Sequence, residues 1–183
     1  MEKYICFIHL DILNKHTTTD SVTKKNLYNF ARMISLSYDI YSYKDNKYKL
    51  ITQVRSYVKP QWIILPDNFN NTIEINNLKE TPIYEILTKF KADINNVNII
   101  IGYNIDDQLK SLFAEILRYN VLIGLYNNLI IDINTFSHSY TSCDIYDLYK
   151  YIFADNTSEN YINMDKIKLI KKCFISLYEN FSK

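Results

Sequence analysis

Glycine occurs only twice in the 183 residues, at positions 102 and 124. Loops that cradle phosphates rely on clustered glycines, whose bare backbone can approach the anion closely. Two isolated glycines cannot build such a loop, so nucleotide-binding folds of that kind are excluded. A packed core is still well supplied, because 48% of the residues are hydrophobic and 22% charged. The length suits one domain, and no linker or internal repeat divides residues 1–183. A formal net charge of +1 excludes a uniformly basic nucleic-acid coat and leaves room for a local basic patch. No apolar run approaches the ~18 residues of a membrane span. Met1-Glu2-Lys3 leads straight into a strand-like run, without a secretory or transit pattern. The expectation is a cytoplasmic protein with no membrane contact.

Cys6, Cys143 and Cys173 are odd in number and widely spaced, which is neither a disulfide framework nor a zinc pattern. His9, His16 and His138 share no metal-ligand spacing. The 17 tyrosines accompany abundant Asn, Ile and Lys. These residues have A- and T-rich codons, which points to an AT-rich genome such as that of a large DNA virus or a plasmid-like element.

Tyr4–Asp11 reads as a buried strand that ends in an acid. A polar loop follows over 14–25. Leu27–Ile40 and Tyr48–Val58 read as two further strands around a turn at Tyr43–Lys47. Trp62–Leu65 is an apolar patch within an irregular stretch. Thr81-Pro82 resembles an N-cap and first-turn proline, followed by Ile83, Ile86, Leu87 and Phe90 at helical spacing. Val97–Ile101 and Leu129–Ile133 read as buried parallel strands. Leu109, Leu112, Phe113, Ile116 and Leu117 mark a helix between them. Helices over Ser142–Phe153 and Met164–Phe181, separated by a polar loop at Asp155–Tyr161, close the chain. The expected fold is α/β. Three antiparallel strands and then two parallel ones form a mixed five-stranded sheet flanked by helices, the ribonuclease-H-like arrangement.

Residues 99–115, Ile-Ile-Ile-Gly-Tyr-Asn-Ile-Asp-Asp-Gln-Leu-Lys-Ser-Leu-Phe-Ala-Glu, resemble the second motif of the DEDDh 3′–5′ exonucleases. That motif is a strand, then Gly-His-Asn, two variable residues, Phe-Asp, and a helix. Leu10-Asp11 resembles the first motif, Leu27–Ile34 the family's second strand, and Asp132 with Thr135-Phe136-Ser137 the strand before its third helix. The resemblance covers nearly the whole chain. It implies a cleft where four carboxylates hold two divalent cations about 4 Å apart and a histidine activates water.

Matched residue by residue, the catalytic set is degenerate. Asp11 is kept. Leu13 stands for the glutamate of the first motif and Gln108 for the aspartate of the second, while Ile167 and Lys172 stand for the histidine and aspartate of the third. No catalytic or metal-binding residue and no cofactor is therefore expected. Mg²⁺ or Mn²⁺ would enter only if Asp106, Asp107 or Asp165 rebuilt the site, giving an active exonuclease with rearranged ligands.

A pseudo-exonuclease of this kind is expected to bind single-stranded nucleic acid, DNA in the first instance, in replication of an AT-rich viral or plasmid-like genome. Lys15, His16, Thr17, Tyr103, Asn104, Lys168 and Lys172 are the candidate contacts, with Tyr103 placed to stack and Lys172 placed beside Asp11. Replication proteins are the implied protein partners, and homo-oligomerisation would align several weak sites. A protein-interaction module without nucleic-acid binding is the third reading.

Overall fold

The computed structural model describes residues 2–13, 15–59, 80–125, 127–137, 144–153 and 164–181. The Trp62–Leu65 patch, His138, Ser142, Cys143 and the Asp155–Tyr161 loop lie outside them. Three long strands open the chain: β1 (Lys3–Leu13), β2 (Arg32–Lys44) and β3 (Lys47–Val58). They pair antiparallel, β1 with β2 and β2 with β3. The β2–β3 turn is Asp45-Asn46, with φ of 50° and 59°. Two successive left-handed residues give the turn whose twist matches that of the strands, and Asp and Asn tolerate it best after glycine.

Then follow β4 (Glu80–Thr81), α1 (Ile83–Ile94), β5 (Ile99–Gly102), α2 (Ile105–Arg118), β6 (Leu129–Asp132), α3 (Ile145–Phe153) and α4 (Lys166–Phe181). The sheet order is β4-β3-β2-β1-β5-β6. The expected mixed sheet is present and gains a sixth, two-residue strand, because Glu80 and Thr81 pair parallel with Tyr57 and Val58. Thr81 is thus a strand residue rather than a helix cap, and Pro82 leads into α1 without a side-chain cap.

Two other expectations need correction. The segment 27–31 is not strand, since Leu27–Asn29 form a short 3₁₀ turn and β2 begins at Arg32. The β6 segment is apolar yet not buried, with Leu129 59% and Ile130 38% exposed, because it forms an edge of the sheet.

Strand alternation splits the core into two. Cys6, Ile8 and Leu10 of β1 face one side, where Ile86, Leu87 and Phe90 of α1 and Ile105, Leu109 and Leu112 of α2 pack on them. Ile5 and Phe7 face the other side, against Leu148 and Tyr149 of α3 and Ile167, Ile170 and Cys173 of α4. A strand buried on both faces must lie inside the sheet, which explains the continuous apolar run of β1. β5 runs parallel beside it, with Ile5, Cys6 and Phe7 opposite Ile99, Ile100 and Ile101. The C-terminal ends of β1 and β5 are therefore neighbours, and Asp11 and Gly102-Tyr103 meet there as expected. No helix among the described residues is long and apolar enough to cross a membrane.

Candidate nucleic-acid cleft

Asp11 sits near the end of β1, where the register with β2 shifts between Asp11 and Ile12. The Ser35 hydroxyl donates to its Oδ2 at 2.6 Å, and the Lys166 ammonium donates to its Oδ1 at 2.9 Å. His9, two residues earlier on the same face, places Nε2 3.2 Å from Asp11 Oδ1 and 3.1 Å from Lys166 Nζ. Burial alone would raise the Asp11 pKa. The His9 hydrogen bond and charge, the Lys166 charge and the Ser35 hydroxyl outweigh it and hold the carboxyl well below the usual carboxylate range.

Lys166 is the first residue of α4, and its position is braced. Asp165 caps the helix, accepting the Ile167 amide at 2.8 Å on Oδ1. Its Oδ2 accepts from Arg55 Nε at 2.6 Å, and Arg55 Nη1 donates to the buried Asp39 at 2.7 Å. A chain of charges from β2 through β3 thus fixes the helix end that carries the ammonium.

Gln108, at the position of the second-motif aspartate, is buried and used at both ends of its amide. Oε1 accepts the Leu10 amide at 2.8 Å, and Nε2 donates to the Tyr103 carbonyl at 2.7 Å. A carboxylate there could not make the second bond. Asn104 starts α2 with φ 51°. Asp132, at the end of β6, accepts the amides of Asn104 and Ile105 on its two oxygens, at 2.9 and 3.0 Å. This carboxylate holds the positive end of α2. Gly102 is needed just before it, because a Cβ there would lie 2.9 Å from Ile105 Cδ1.

Two adjoining cavities share Asn104 and Gln108 as walls. The larger, about 520 Å³, is lined also by Lys15, His16, Thr18, Thr19 and Lys110. The smaller, about 260 Å³, lies between His9, Tyr103, Lys166, Ile170 and Asp144. Asp144 Oδ1 is committed to the Asp147 amide as the cap of α3. The cleft is thus cationic at both ends and polar between them.

The sequence candidates divide on this geometry. Lys15, His16 and Asn104 line the larger cavity. His16 is also a strut: Nδ1 accepts the Ala31 amide at 3.0 Å, so Nε2 donates to the Asp107 carbonyl at 2.8 Å. Thr17 bonds to Asn29 and lines neither cavity, whereas Thr18 and Thr19 line the larger one. Tyr103 is only 5% exposed and packs in the core, so it offers no stacking face. Lys168 is exposed on α4 away from both cavities.

Lys172 is not beside Asp11. It points to α3, where its ammonium lies 3.4 Å from the Tyr149 hydroxyl. The ammonium at Asp11 is that of Lys166, which the motif spacing does not single out. Ile167 is fully buried in the core and does not reach the cleft. Leu13 closes β1 opposite Arg32.

The donor set does not fit two divalent cations, whose shells need several free oxygens. Asp11 is matched by an ammonium and a hydroxyl, Gln108 is neutral and bonded at both ends, and Asp165 is held by Arg55. Asp106 and Asp107 lie exposed on the first turn of α2, with Asp107 3.5 Å from Lys110. Among the described residues no group of three or more His, Cys, Asp or Glu is placed to hold a metal.

No family model and no curated protein matches the sequence. Among solved structures, the chain is similar to the nuclease domain of 3′hExo, a DEDDh family member bound to rAMP. The TM-score is 0.66 at 13% identity, over 97% of this chain and 92% of that chain. The fold is that of a ribonuclease-H-like exonuclease domain.

Proposed function

We propose that this chain binds the 3′-terminal part of single-stranded nucleic acid, DNA in the first instance, and does not hydrolyse it. The observation that carries the reading is the Lys166 ammonium on Asp11, at the strand end where the exonucleases it resembles hold metal ions. An ammonium supplies positive charge to a phosphate without coordination chemistry, and its three donors allow it to serve Asp11 and a phosphate oxygen together. Lys15 and Lys110 at the larger cavity extend that charge along the path of a strand. The residues encoded by A- and T-rich codons favour a role in replicating an AT-rich viral or plasmid-like genome, with replication proteins as partners.

The test is fluorescence anisotropy of a labelled oligonucleotide with a free 3′ end, followed by gel analysis with and without Mn²⁺. Binding without trimming is expected. Lys166→Ala should weaken binding several-fold, and Lys166→Arg should retain most of it, with circular dichroism confirming that both fold. Trimming in Mn²⁺ that Asp11→Ala abolishes would establish an active exonuclease instead. Absence of binding to any oligonucleotide would favour an interaction module.

A further inference from the structure

We infer that the tip of the β2–β3 hairpin is a second contact for single-stranded nucleic acid, at the opposite end of the sheet from the cleft. The inference requires that the chain engages nucleic acid but not that the cleft does so. The register sets Lys44 directly opposite Lys47, Tyr43 opposite Tyr48 and Ser42 opposite Lys49. Strand alternation then places Lys44, Lys47 and Lys49 on one face of the hairpin. All three are exposed, and none has an ion-pair partner among the described residues. On the other face are Tyr43 and Tyr48, half-buried with ring centroids 4.7 Å apart, and exposed Lys3 opposite Tyr43. Lys171 reaches this face from α4, its ammonium 3.7 Å from the centre of the Tyr41 ring and 5.4 Å from that of Tyr48.

Cations interleaved with aromatic rings are the recognition chemistry of an unpaired strand, phosphates on the one and bases on the other. Like charges placed directly opposite across two strands destabilise the pair. In a chain of net charge +1, the local excess is a feature of this end of the molecule. A simpler role exists for lysines on an exposed edge strand, which keep the edge from pairing with other chains. That role covers Lys47 and Lys49 on β3. It does not cover Lys44, since β2 is an interior strand paired with β1 as far as Tyr43, nor Lys3. The eight steps of β1 from Lys3 to Asp11 put the two sites roughly 26 Å apart. A short oligonucleotide can occupy one of them and a long one both.

The experiment compares fluorescein-labelled oligothymidylates of about six and about 30 nucleotides, binding to wild type and to the triple variant Lys44→Ala/Lys47→Ala/Lys49→Ala over a salt series. For the long probe, affinity should fall about five-fold or more. Its log–log salt slope should shrink by about two, near 0.7 for each phosphate that a lysine no longer neutralises. Binding of the short probe to the cleft should not change. The triple Lys→Arg variant should keep wild-type behaviour. Relief of the Lys44–Lys47 repulsion should leave the melting temperature of the Ala variant equal or higher, so weaker binding cannot be traced to unfolding.

Unchanged affinity and slope for the long probe would overturn the inference, and if the Ala variant also aggregated, edge protection would be the role of these lysines. Equal weakening for both probe lengths would also overturn it, by indicating diffuse attraction rather than a site. Wild-type binding of the long probe alone would remove the cleft reading and leave the hairpin contact standing.

Discussion

At the scale of single residues, Gln108 is the clearest departure from a metal-binding site. Its amide joins the backbone of β1 to the carbonyl before α2, one bond as acceptor and one as donor. Gln108→Glu would turn the donor into a charged acceptor facing the Tyr103 carbonyl, in a side chain that is 7% exposed. A loss of about 1–3 kcal/mol is expected, measured by urea unfolding, while the isosteric apolar Gln108→Met should lose less than a charge does. Restoring a carboxylate there thus opposes the fold, which separates this site from a nuclease one substitution away from activity. Asp11 was legible in the sequence because an acid ending an apolar strand has few roles other than a site. Lys166 was not, since α4 carries lysines at 166, 168, 171 and 172 and motif spacing points to the last. The apolar phase of the helix holds the better signal. Ile167, Ile170, Cys173 and Leu177 define its buried face, which puts Ile167 in the core and leaves Lys166 at the helix start near the strand ends.

At the scale of elements, helix stripes and the hairpin turn were readable because their signals are local. The structure buries Ile83, Ile86, Leu87 and Phe90 of α1 as their spacing requires. The Asp45-Asn46 turn follows from residues that tolerate positive φ. Asn46→Val would place a β-branched residue at φ 59° and also remove the acceptor of the Tyr43 hydroxyl, now 3.0 Å from Asn46 Oδ1. A destabilisation of about 1–2 kcal/mol is expected, with Asn46→Gly near neutral, both from thermal unfolding. Signals that depend on a distant partner were not readable. The Leu129–Asp132 segment has the apolar run of an interior strand, and only the sheet order makes it an edge. Thr81 has the chemistry of a cap, but its backbone pairs with Val58. The caps at Asp144 and Asp165 each lie in polar sequence that offers several equivalent candidates.

At the scale of the whole molecule, the sheet joins two halves of different origin. β1 to β3 are consecutive and pair over their full lengths, whereas β5 meets β1 only from Ile5 to Phe7. Local pairings form with less loss of chain entropy than distant ones, so the hairpins should form before β5 and α4 dock. Pulse-labelled hydrogen exchange during refolding should protect the β2–β3 amides first, and simultaneous protection of β5 would contradict this order. The Lys166–Asp11 contact joins residues 155 positions apart, the far end of that order. During synthesis, at about 5–20 residues per second, the hairpin tip can take shape many seconds before α4 leaves the ribosome. A nascent chain would then carry its basic hairpin while its cleft still lacks Lys166 and exposes an unpaired Asp11, so the first contact with a polyanion would fall to the hairpin.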